Sequence, residues 1–326
     1  MTDEYDIPDP DNYEPIPETA RGPPIPEEGY RIEAVGDGLH CITEGSYQML
    51  VAPTDEGTVV VDAPPSIGRY IPEAVATVSD EPINHVIYTH AHADHIGAAS
   101  LYPDDATYVA HAATARKLNQ VDDPNRPVPD VTFENEHTLT VGDQVFDLAY
   151  HGNNHEEGNI FVYAPEQRAL MLVDVIFPGW VPFKEFGWSE YLPGIVAAHD
   201  RVLDYDFETF VGGHLRRLGD REDVEIQREY VHDLRDNAAE AIESVSMMPF
   251  AEALGPENEW LVFEAYITAV TERAAAATIE TWSGELGAVD VYTHSNAEMM
   301  VLSLQADYGL LGPLGANMPD AEQLSR

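Results

Sequence analysis

The sequence contains little lysine and little cysteine, and each shortage excludes a class of protein. Lysine occurs only at Lys117 and Lys184, and 16 basic residues stand against 59 acidic ones, a formal net charge of −43. Because nucleic-acid binding draws most of its affinity from cations that neutralise phosphates, we expect no nucleic-acid partner. The single cysteine, Cys41, excludes an intramolecular disulfide and is predicted to be a buried packing residue.

Long apolar runs are also missing. No stretch approaches the roughly 20 consecutive apolar residues that a membrane span requires, so we expect no membrane partner. The first ten residues are acidic, contain Pro8 and Pro10, and lack the apolar core of a secretory signal, which favours a cytoplasmic location. The acidic residues are spread along the whole chain, a composition typical of a halophilic protein in a salt-rich cytoplasm.

Three imidazoles and a carboxylate fall within six residues, directly after the apolar run 86–88. In an extended or turning segment, residues two apart project the same way, so His90 and His92 can share one metal ion while Asp94 and His95 turn towards a neighbouring position. Zinc and similar divalent ions favour imidazole nitrogen complemented by carboxylate oxygen. The spacing predicts a metal site at the end of a strand. A polar loop rich in histidine and a purely structural zinc site are the alternatives.

Further candidate ligands lie downstream. His155, Asp174 and His214 each come at the end of, or just after, a short apolar strand-like run. Such junctions let a rigid sheet hold catalytic loops along one edge. Each residue alone would be an ordinary loop residue, but together they form a set that can complete the site.

This arrangement resembles the metallo-β-lactamase superfamily, which includes zinc β-lactamases, glyoxalase II, lactonases and several nucleases. The resemblance runs from about Tyr30 to about Leu218. It implies an α/β fold, a four-layer αββα sandwich, which also suits the alternation of strands and helices along the chain. It implies a binuclear centre with the following ligands: His90, His92 and His155 on the first metal, Asp94, His95 and His214 on the second, and Asp174 bridging the two.

Two further residues are candidates for supporting this centre. Asp62 falls where the superfamily usually has a buried supporting aspartate; the alternative is a turn residue before Pro64. His151 lies close in sequence to His155 and could hydrogen-bond a metal ligand and so orient it. The alternative is a loop histidine with no such role.

One departure from the best-known members bears on the substrate. The zinc β-lactamases of broadest activity place a cysteine where this chain has Asp174, whereas an aspartate is the pattern of glyoxalase II, lactonase and nuclease branches. We therefore expect a hydrolase of a small ester, thioester, lactone or amide-type substrate, with two Zn²⁺ ions and with Fe or Mn as other candidate metals. A hydroxide shared by the two ions would attack the substrate, and Asp94 would position it and carry the proton.

Three other functions stay open at this point. The first is a mononuclear iron oxidoreductase resembling the persulfide dioxygenases, which use a related scaffold of histidine and aspartate. A nuclease is disfavoured by the negative charge. A non-catalytic metal-binding module would require the open coordination positions to be blocked.

Aromatic residues are dense just after Asp174, in a segment interrupted by proline and glycine. Because such a segment cannot form a long helix or a central strand, its aromatics either fill a gap under a loop or line a pocket. Their place after a candidate ligand favours a pocket for a substrate with an apolar portion. The candidate lining residues are Phe177, Trp180, Phe183, Trp188 and Tyr191.

Composition divides the chain into three regions. Residues 1–29 are predicted to form an acidic, proline-rich tail, 30–220 the catalytic domain, and 221–326 a helical C-terminal extension. In the extension, apolar residues recur at spacings of three and four from Val224 to Val245 and from Trp260 to Ala274. A third helix is predicted to open at Ser295, with Glu298 completing a capping box. These helices would pack on the catalytic domain, form a lid or make a homodimer.

Overall fold

The computed structural model describes residues 7–315, and this part of the chain divides into two compact units. We call residues 20–179 and 187–228 the sheet unit, and residues 7–19, 180–186 and 229–315 the helical unit. The ends of the predicted tail and extension, residues 1–6 and 316–326, lie outside the described residues.

The first sheet of the sheet unit contains seven strands in chain order. They are β1 (Arg31–Gly36), β2 (Leu39–Thr43), β3 (Gln48–Thr54), β4 (Gly57–Val61), β5 (Ile83–Ile87), β6 (Thr107–His111) and β7 (Val131–Phe133). Strands β1 to β4 pair antiparallel, and β4 to β7 pair parallel. Parallel neighbours need crossover connections. These carry α1 (Pro65–Gly68), α2 (Ile71–Val78), α3 (Ala93–Ile96) and α4 (Ala112–Val121).

The second sheet contains five strands in the order β12-β11-β10-β9-β8. They are β8 (Glu136–Val141), β9 (Gln144–Ala149), β10 (Phe161–Ala164), β11 (Ala169–Met171) and β12 (Thr209–Val211). Only β12 runs parallel to its neighbour. Between β11 and β12 lie α5 (Lys184–Trp188), which is divided between the two units after residue 186, and α6 (Leu192–Val202).

Alternation along the strands builds two apolar layers. In β4, Val59 and Val61 point into the layer between the sheets, whereas Val60 points to the outer face and packs with Ile67 of α1. Successive side chains of a strand point to opposite faces, so apolar residues at all three positions are typical of a strand buried on both faces. Cys41 is buried in the layer between the sheets, as predicted. Two sheets flanked by helices confirm the predicted αββα sandwich.

The helical unit is built mainly from four helices. They are α7 (Arg221–Ser244), whose first residues belong to the sheet unit, α8 (Met248–Leu254), α9 (Glu259–Trp282) and α10 (Val289–Ala306). The predicted start at Ser295 is wrong, since α10 begins at Val289 and the Ser295 hydroxyl donates to the carbonyl of Tyr292 within the helix. None of the helices within residues 7–315 is long and apolar enough to cross a membrane.

Within residues 7–29, the predicted tail contains short 3₁₀ turns and no strand or α-helix. In the helical unit its Glu14 carboxylate accepts a hydrogen bond from the Gly284 amide at 3.1 Å, and the Glu14 amide donates to Asp290 at 2.7 Å. These contacts attach the segment to the loop before α10 and to its first turn.

Candidate metal centre

The structure brings all seven predicted ligand residues together at one edge of the sheet unit. They are His90, His92, Asp94 and His95 after β5, His155 between β9 and β10, Asp174 after β11, and His214 after β12. Both sheets therefore contribute side chains to one cluster.

Four of these residues form a first group, with ligand atoms all within 4.8 Å of one another. His155 Nε2 lies 2.9 Å from His92 Nδ1 and 3.1 Å from Asp174 Oδ2. His90 Nε2 lies 3.4 Å from the same carboxylate oxygen. His90 and His155 are buried, whereas the His92 side chain is about one-third exposed and opens the group to solvent.

The second group consists of Asp94, His95 and His214, again with ligand atoms within 4.8 Å. His95 Nε2 lies 3.1 Å from His214 Nε2 and 3.7 Å from Asp94 Oδ2. Asp174 reaches this group as well, with Oδ1 2.8 Å from His214 Nε2 and Oδ2 3.2 Å from His95 Nε2. Its carboxylate therefore lies between the two groups.

The donor set fits divalent metal ions better than it fits a hydrogen-bonded network. In each group two imidazole nitrogens face each other, an arrangement that needs a proton or a cation between them. His90 Nε2 is buried and makes no hydrogen bond within residues 7–315, although it lies 3.4 Å from Asp174 Oδ2. A buried ring nitrogen without a hydrogen-bond partner costs folding free energy unless a metal ion accepts its lone pair.

The charges within the cluster are strongly coupled. Burial disfavours the ionised form of Asp174, but His95, His155 and His214 outweigh it and hold the pKa of the carboxyl well below its usual range. Burial also lowers the pKa of His95, yet the carboxylates around it, Asp174 first, raise that pKa to about 9. At His90 burial dominates and lowers the pKa well below its usual value. The cluster thus keeps its central carboxylate ionised, as metal binding requires.

Asp62 lies behind the cluster, at the end of β4, and is fully buried. Its carboxylate accepts hydrogen bonds from the amide of Thr89 at 2.8 Å and from the Thr89 hydroxyl at 2.7 Å. That hydroxyl lies 3.1 Å from His90 Nδ1. Burial raises the pKa of Asp62 to about 7. The contacts are those of a residue that supports the loop carrying the first histidine.

His151 lies in other surroundings. Its Nε2 pairs with the Tyr205 hydroxyl at 2.8 Å, and its ring packs edge-on against Phe161. These contacts belong to the second sheet and its α6 connection, so its position gives no support to the expected role in orienting a ligand.

The model of the family described as "Metallo-beta-lactamase superfamily" matches residues 42–216, more than half of the 326 residues. The chain belongs to this superfamily. The resemblance drawn from the sequence is thereby confirmed.

Two curated relatives match part of the chain. The chain is 29% identical over 210 residues to the 2,4-dinitroanisole O-demethylase subunit alpha of Nocardioides sp. (strain JS1661), covering 61% of this chain and 63% of that protein. It is 30% identical over 126 residues to the metallo-beta-lactamase type 2 of Bacillus cereus, covering 37% of this chain and 47% of that protein. The matches thus span less than two thirds of either relative.

Solved structures of the superfamily agree with the fold. A metallo-beta-lactamase from Pontibacter korlensis has a TM-score of 0.53 at 19% identity, covering 61% of this chain and 97% of its own. The DIM-1 metallo-beta-lactamase has a TM-score of 0.51 at 20% identity, covering 63% and 97%. At these identities the likeness concerns the fold alone.

Sequence reasoning missed a tyrosine at the cluster. The Tyr47 hydroxyl lies 3.2 Å from Asp94 Oδ2, and the Tyr47 ring lies 4.5 Å from the ring of His214. Tyr47 forms an antiparallel bridge with His214, and the amide of Gln48 donates to the carbonyl of Gly213 at 2.9 Å. No local pattern marks Tyr47, since only the pairing of distant segments brings it there.

Sequence reasoning also missed a partly buried ion network, in which Lys117 contacts two glutamates. Lys117 Nζ lies 2.9 Å from Glu156 Oε1 and 2.8 Å from Glu190 Oε1. Burial lowers the pKa of Lys117, but its bonds to the two glutamates outweigh burial and raise it. Glu156 directly follows His155, and its side chain is 5% exposed. The signal available in the sequence was the scarcity of lysine itself.

The five aromatic residues predicted to line a pocket do not share one environment. Trp180 belongs to the helical unit, where its ring lies so close to Gly287 that an added Cβ there would meet it at 2.5 Å. Phe183 belongs to the same unit and packs against Tyr292 at a ring distance of 5.0 Å. These contacts indicate packing roles for both residues and give no support to the pocket expectation.

The other three aromatics belong to the sheet unit. Phe177 is buried, with its ring 6.0 Å from that of His214. Trp188 is 64% exposed and Tyr191 is 44% exposed. Two large aromatic side chains at the surface next to a cluster-bearing loop remain candidates for substrate contact.

The backbone between these aromatics has an unusual conformation. Glu185, Phe186, Gly187 and Trp188 all have positive φ, at 55°, 53°, 72° and 58°. A left-handed turn costs residues other than glycine about 1–2 kcal/mol each. A Cβ added at Gly187 would lie 3.1 Å from the Asp174 carbonyl and 3.7 Å from His155 Nδ1. The turn therefore brings bare backbone against two cluster residues.

Proposed function

We propose that this protein is a binuclear metal-dependent hydrolase acting on a small ester, thioester, lactone or amide-type substrate with an apolar portion. The observation that carries this proposal is the position of Asp174, whose carboxylate contacts imidazoles of both groups: His155 in the first group, and His95 and His214 in the second. A carboxylate shared in this way is suited to bridging two dications.

The proposed ligand sets follow the two groups. His90, His92 and His155 would hold one ion, Asp94, His95 and His214 the other, and Asp174 both. When bound, divalent ions supply Lewis acidity and a nucleophile at neutral pH. The predominance of imidazole favours zinc, with iron and manganese as the other candidates.

Asp94 is the proposed catalytic residue among these side chains. Its side chain is 44% exposed and so is open to solvent, and the Tyr47 hydroxyl donates to its Oδ2 at 3.2 Å. The Asp94 carboxylate would accept the proton of the attacking water and pass it to the leaving group. The Tyr47 hydroxyl would orient that carboxylate.

Two observations support a substrate with an apolar portion. Trp188 and Tyr191 present aromatic surface close in sequence to the cluster. One superfamily relative is named for O-demethylation of 2,4-dinitroanisole, an aromatic methyl ether, and another as a β-lactamase. The 59 acidic residues favour a small molecule over a nucleic acid.

The test is metal content followed by activity. Protein purified in concentrated salt, without chelator or added metal, would be analysed by elemental mass spectrometry. Two equivalents of zinc or another redox-quiet dication are expected, followed by turnover in a panel of esters, thioesters, lactones, β-lactams and 2,4-dinitroanisole. One equivalent of iron with oxygen uptake on persulfides would replace the hydrolase by the dioxygenase-like alternative. Two zinc ions without turnover in any of these classes would contradict the proposed reaction.

A further inference from the structure

One of the two lysines of this acidic chain is kept in a partly buried ion network beside the metal cluster. The Lys117 side chain is 26% exposed, whereas that of Lys184 is 53% exposed. Holding a flexible cation between Glu156 and Glu190 costs side-chain entropy and desolvation, so the contact is expected to do more than neutralise charge.

The network joins the two loops that carry the first group of ligands. Glu156 Oε2 accepts a hydrogen bond from the amide of Ala91 at 2.8 Å, and Arg126 donates to the Ala91 carbonyl at 2.7 Å. Ala91 lies between His90 and His92, so its peptide groups are held from both sides. The second glutamate fastens the other loop, since the Glu190 amide donates to the His155 carbonyl at 2.8 Å.

The other carboxylate oxygen of Glu156 faces a candidate ligand. Its Oε1 lies 3.7 Å from His92 Nε2, while Nδ1 of the same ring faces His155 Nε2 in the cluster. An imidazole that binds metal through Nδ1 carries its proton on Nε2. A carboxylate on that side favours this tautomer and strengthens the ring as a ligand.

We propose that Glu156, held in place by Lys117, is a positioning residue that orients His92 and fixes the loop 90–92 for metal binding. This inference rests on the proposed function, because it assumes that the first group binds a metal ion. The inference predicts that Glu156 and Lys117 increase the affinity for metal and do not only stabilise the fold.

The chain offers a closely matched control. Arg116 and Glu157 are the direct sequence neighbours of Lys117 and Glu156, and they form an ion pair of 3.0 Å, but their side chains are 54% and 50% exposed. The test set is therefore Glu156→Gln and Lys117→Gln against Glu157→Gln and Arg116→Gln. Glutamine at 156 keeps an oxygen that can accept from the Ala91 amide, removes the negative charge and replaces the oxygen that faces Lys117 and His92 by an NH2 donor.

Three quantities would be measured in concentrated potassium chloride. These are the Kd for Zn²⁺ by competition with a chromophoric chelator, the visible absorption spectrum of the Co²⁺-loaded protein, and the unfolding temperature of the metal-free protein. We expect Glu156→Gln to weaken zinc binding about 10- to 100-fold. It should also shift the Co²⁺ spectrum, which reports on the geometry of the ligands. Lys117→Gln should give a smaller loss in the same direction, and both controls should match the wild type.

The outcomes separate this inference from the proposed function. A wild-type protein that binds no metal would overturn both. Metal binding by the wild type with an unchanged Kd and Co²⁺ spectrum in Glu156→Gln would overturn the positioning role and leave the hydrolase proposal standing. A lower unfolding temperature alone would mean that the network only stabilises the fold. If Glu156→Gln does not fold, Lys117→Gln decides, and an unchanged Kd there refutes the inference.

Discussion

Asp94 and Asp174 are aspartates of the same cluster, yet their surroundings suit them to different roles. The Asp174 side chain is 7% exposed and faces imidazoles from both groups. That of Asp94 is 44% exposed and contacts Tyr47. A buried carboxylate held by several cations stays ionised, whereas one that meets solvent can exchange protons with water. The former is suited to bridging two ions, and the latter, besides its place in the second ligand set, to proton transfer.

The substitution Asp94→Asn tests this division. We expect turnover to fall by about 10²- to 10⁴-fold, the range for loss of general acid–base catalysis, while the first group keeps its metal. Steady-state kinetics and metal analysis would be run beside Asp105→Asn, a change in an exposed turn outside the cluster. Near-normal turnover in Asp94→Asn would remove Asp94 from the proposed role.

The two tryptophans of the aromatic segment should respond differently. Trp188→Ala removes an exposed side chain and should raise KM for an apolar substrate with little change in unfolding temperature. Trp180→Ala removes the ring that packs on Gly287 and should lower the unfolding temperature of the helical unit. Trp260→Ala, at an 84% exposed position, is the control for both. If Trp188→Ala leaves KM unchanged, Trp188 does not contact the substrate.

At this scale the sequence singles out candidate ligands more readily than the side chains that contact them. His90, His92 and Asp94 could be recognised because metal ligation demands particular side chains at short spacings. Tyr47 and Glu156 are defined only by where the folded chain brings them, since no motif marks Tyr47 and Glu156 is one of 59 acidic residues. Supporting side chains of this kind are therefore found from the structure, whereas Asp62 could be named from the resemblance.

Among the elements, the left-handed turn Glu185–Trp188 departs most from ordinary backbone. Its dihedral angles are unfavourable for every residue except Gly187. Such strain persists only where surrounding contacts hold it. Sequence periodicity could not reveal this turn, since its composition indicated only that a long helix or central strand was excluded.

Comparing alanine substitutions at two glycines separates the cost of backbone conformation from the cost of a steric contact. Gly187 and Gly38 have φ of 72° and 73°, but a Cβ at Gly38 would meet nothing within 4 Å. We expect Gly38→Ala to cost about 1 kcal/mol of unfolding free energy, from backbone strain alone. Gly187→Ala should cost more and also weaken metal binding, because the new Cβ presses on the Asp174 carbonyl. Denaturant unfolding and zinc titration would measure both, and equal effects would refute the contact argument.

The helices show where amphipathic patterns succeed and where they fail. The spacing in α9 correctly placed Ile267 and Val270 in the buried stripe, but Trp260 at its start is 84% exposed. The first turn of a helix can extend beyond the layer on which the rest of the helix packs, so periodicity alone does not fix its burial. A homodimer through the C-terminal helices stays a prediction.

For the whole molecule, the dominant property is the net charge of −43. Self-repulsion between like charges favours expanded states, and it weakens as the screening length falls from about 10 Å at 0.1 M salt to about 3 Å at 1 M. The folded state should therefore depend on salt more strongly than that of a protein with balanced charges.

Dialysis from concentrated to dilute salt tests this dependence. We expect loss of the circular dichroism signal, release of metal, or both, with recovery when salt is restored. A neutral osmolyte in place of salt is the control, because it is excluded from protein surfaces but does not screen charge. A signal and metal content unchanged in dilute buffer would contradict adaptation to high salt.

Because the cluster draws side chains from both sheets, metal binding should also affect the stability of the fold. His90 follows the first sheet and His214 the second, so ions shared through Asp174 would tie distant parts of the chain together, as a cross-link does. The single cysteine offers no covalent equivalent. A ligand that binds only the folded state at about 100 times its Kd stabilises that state by about 2.7 kcal/mol. Chelation should thus loosen the sandwich as well as stop the chemistry.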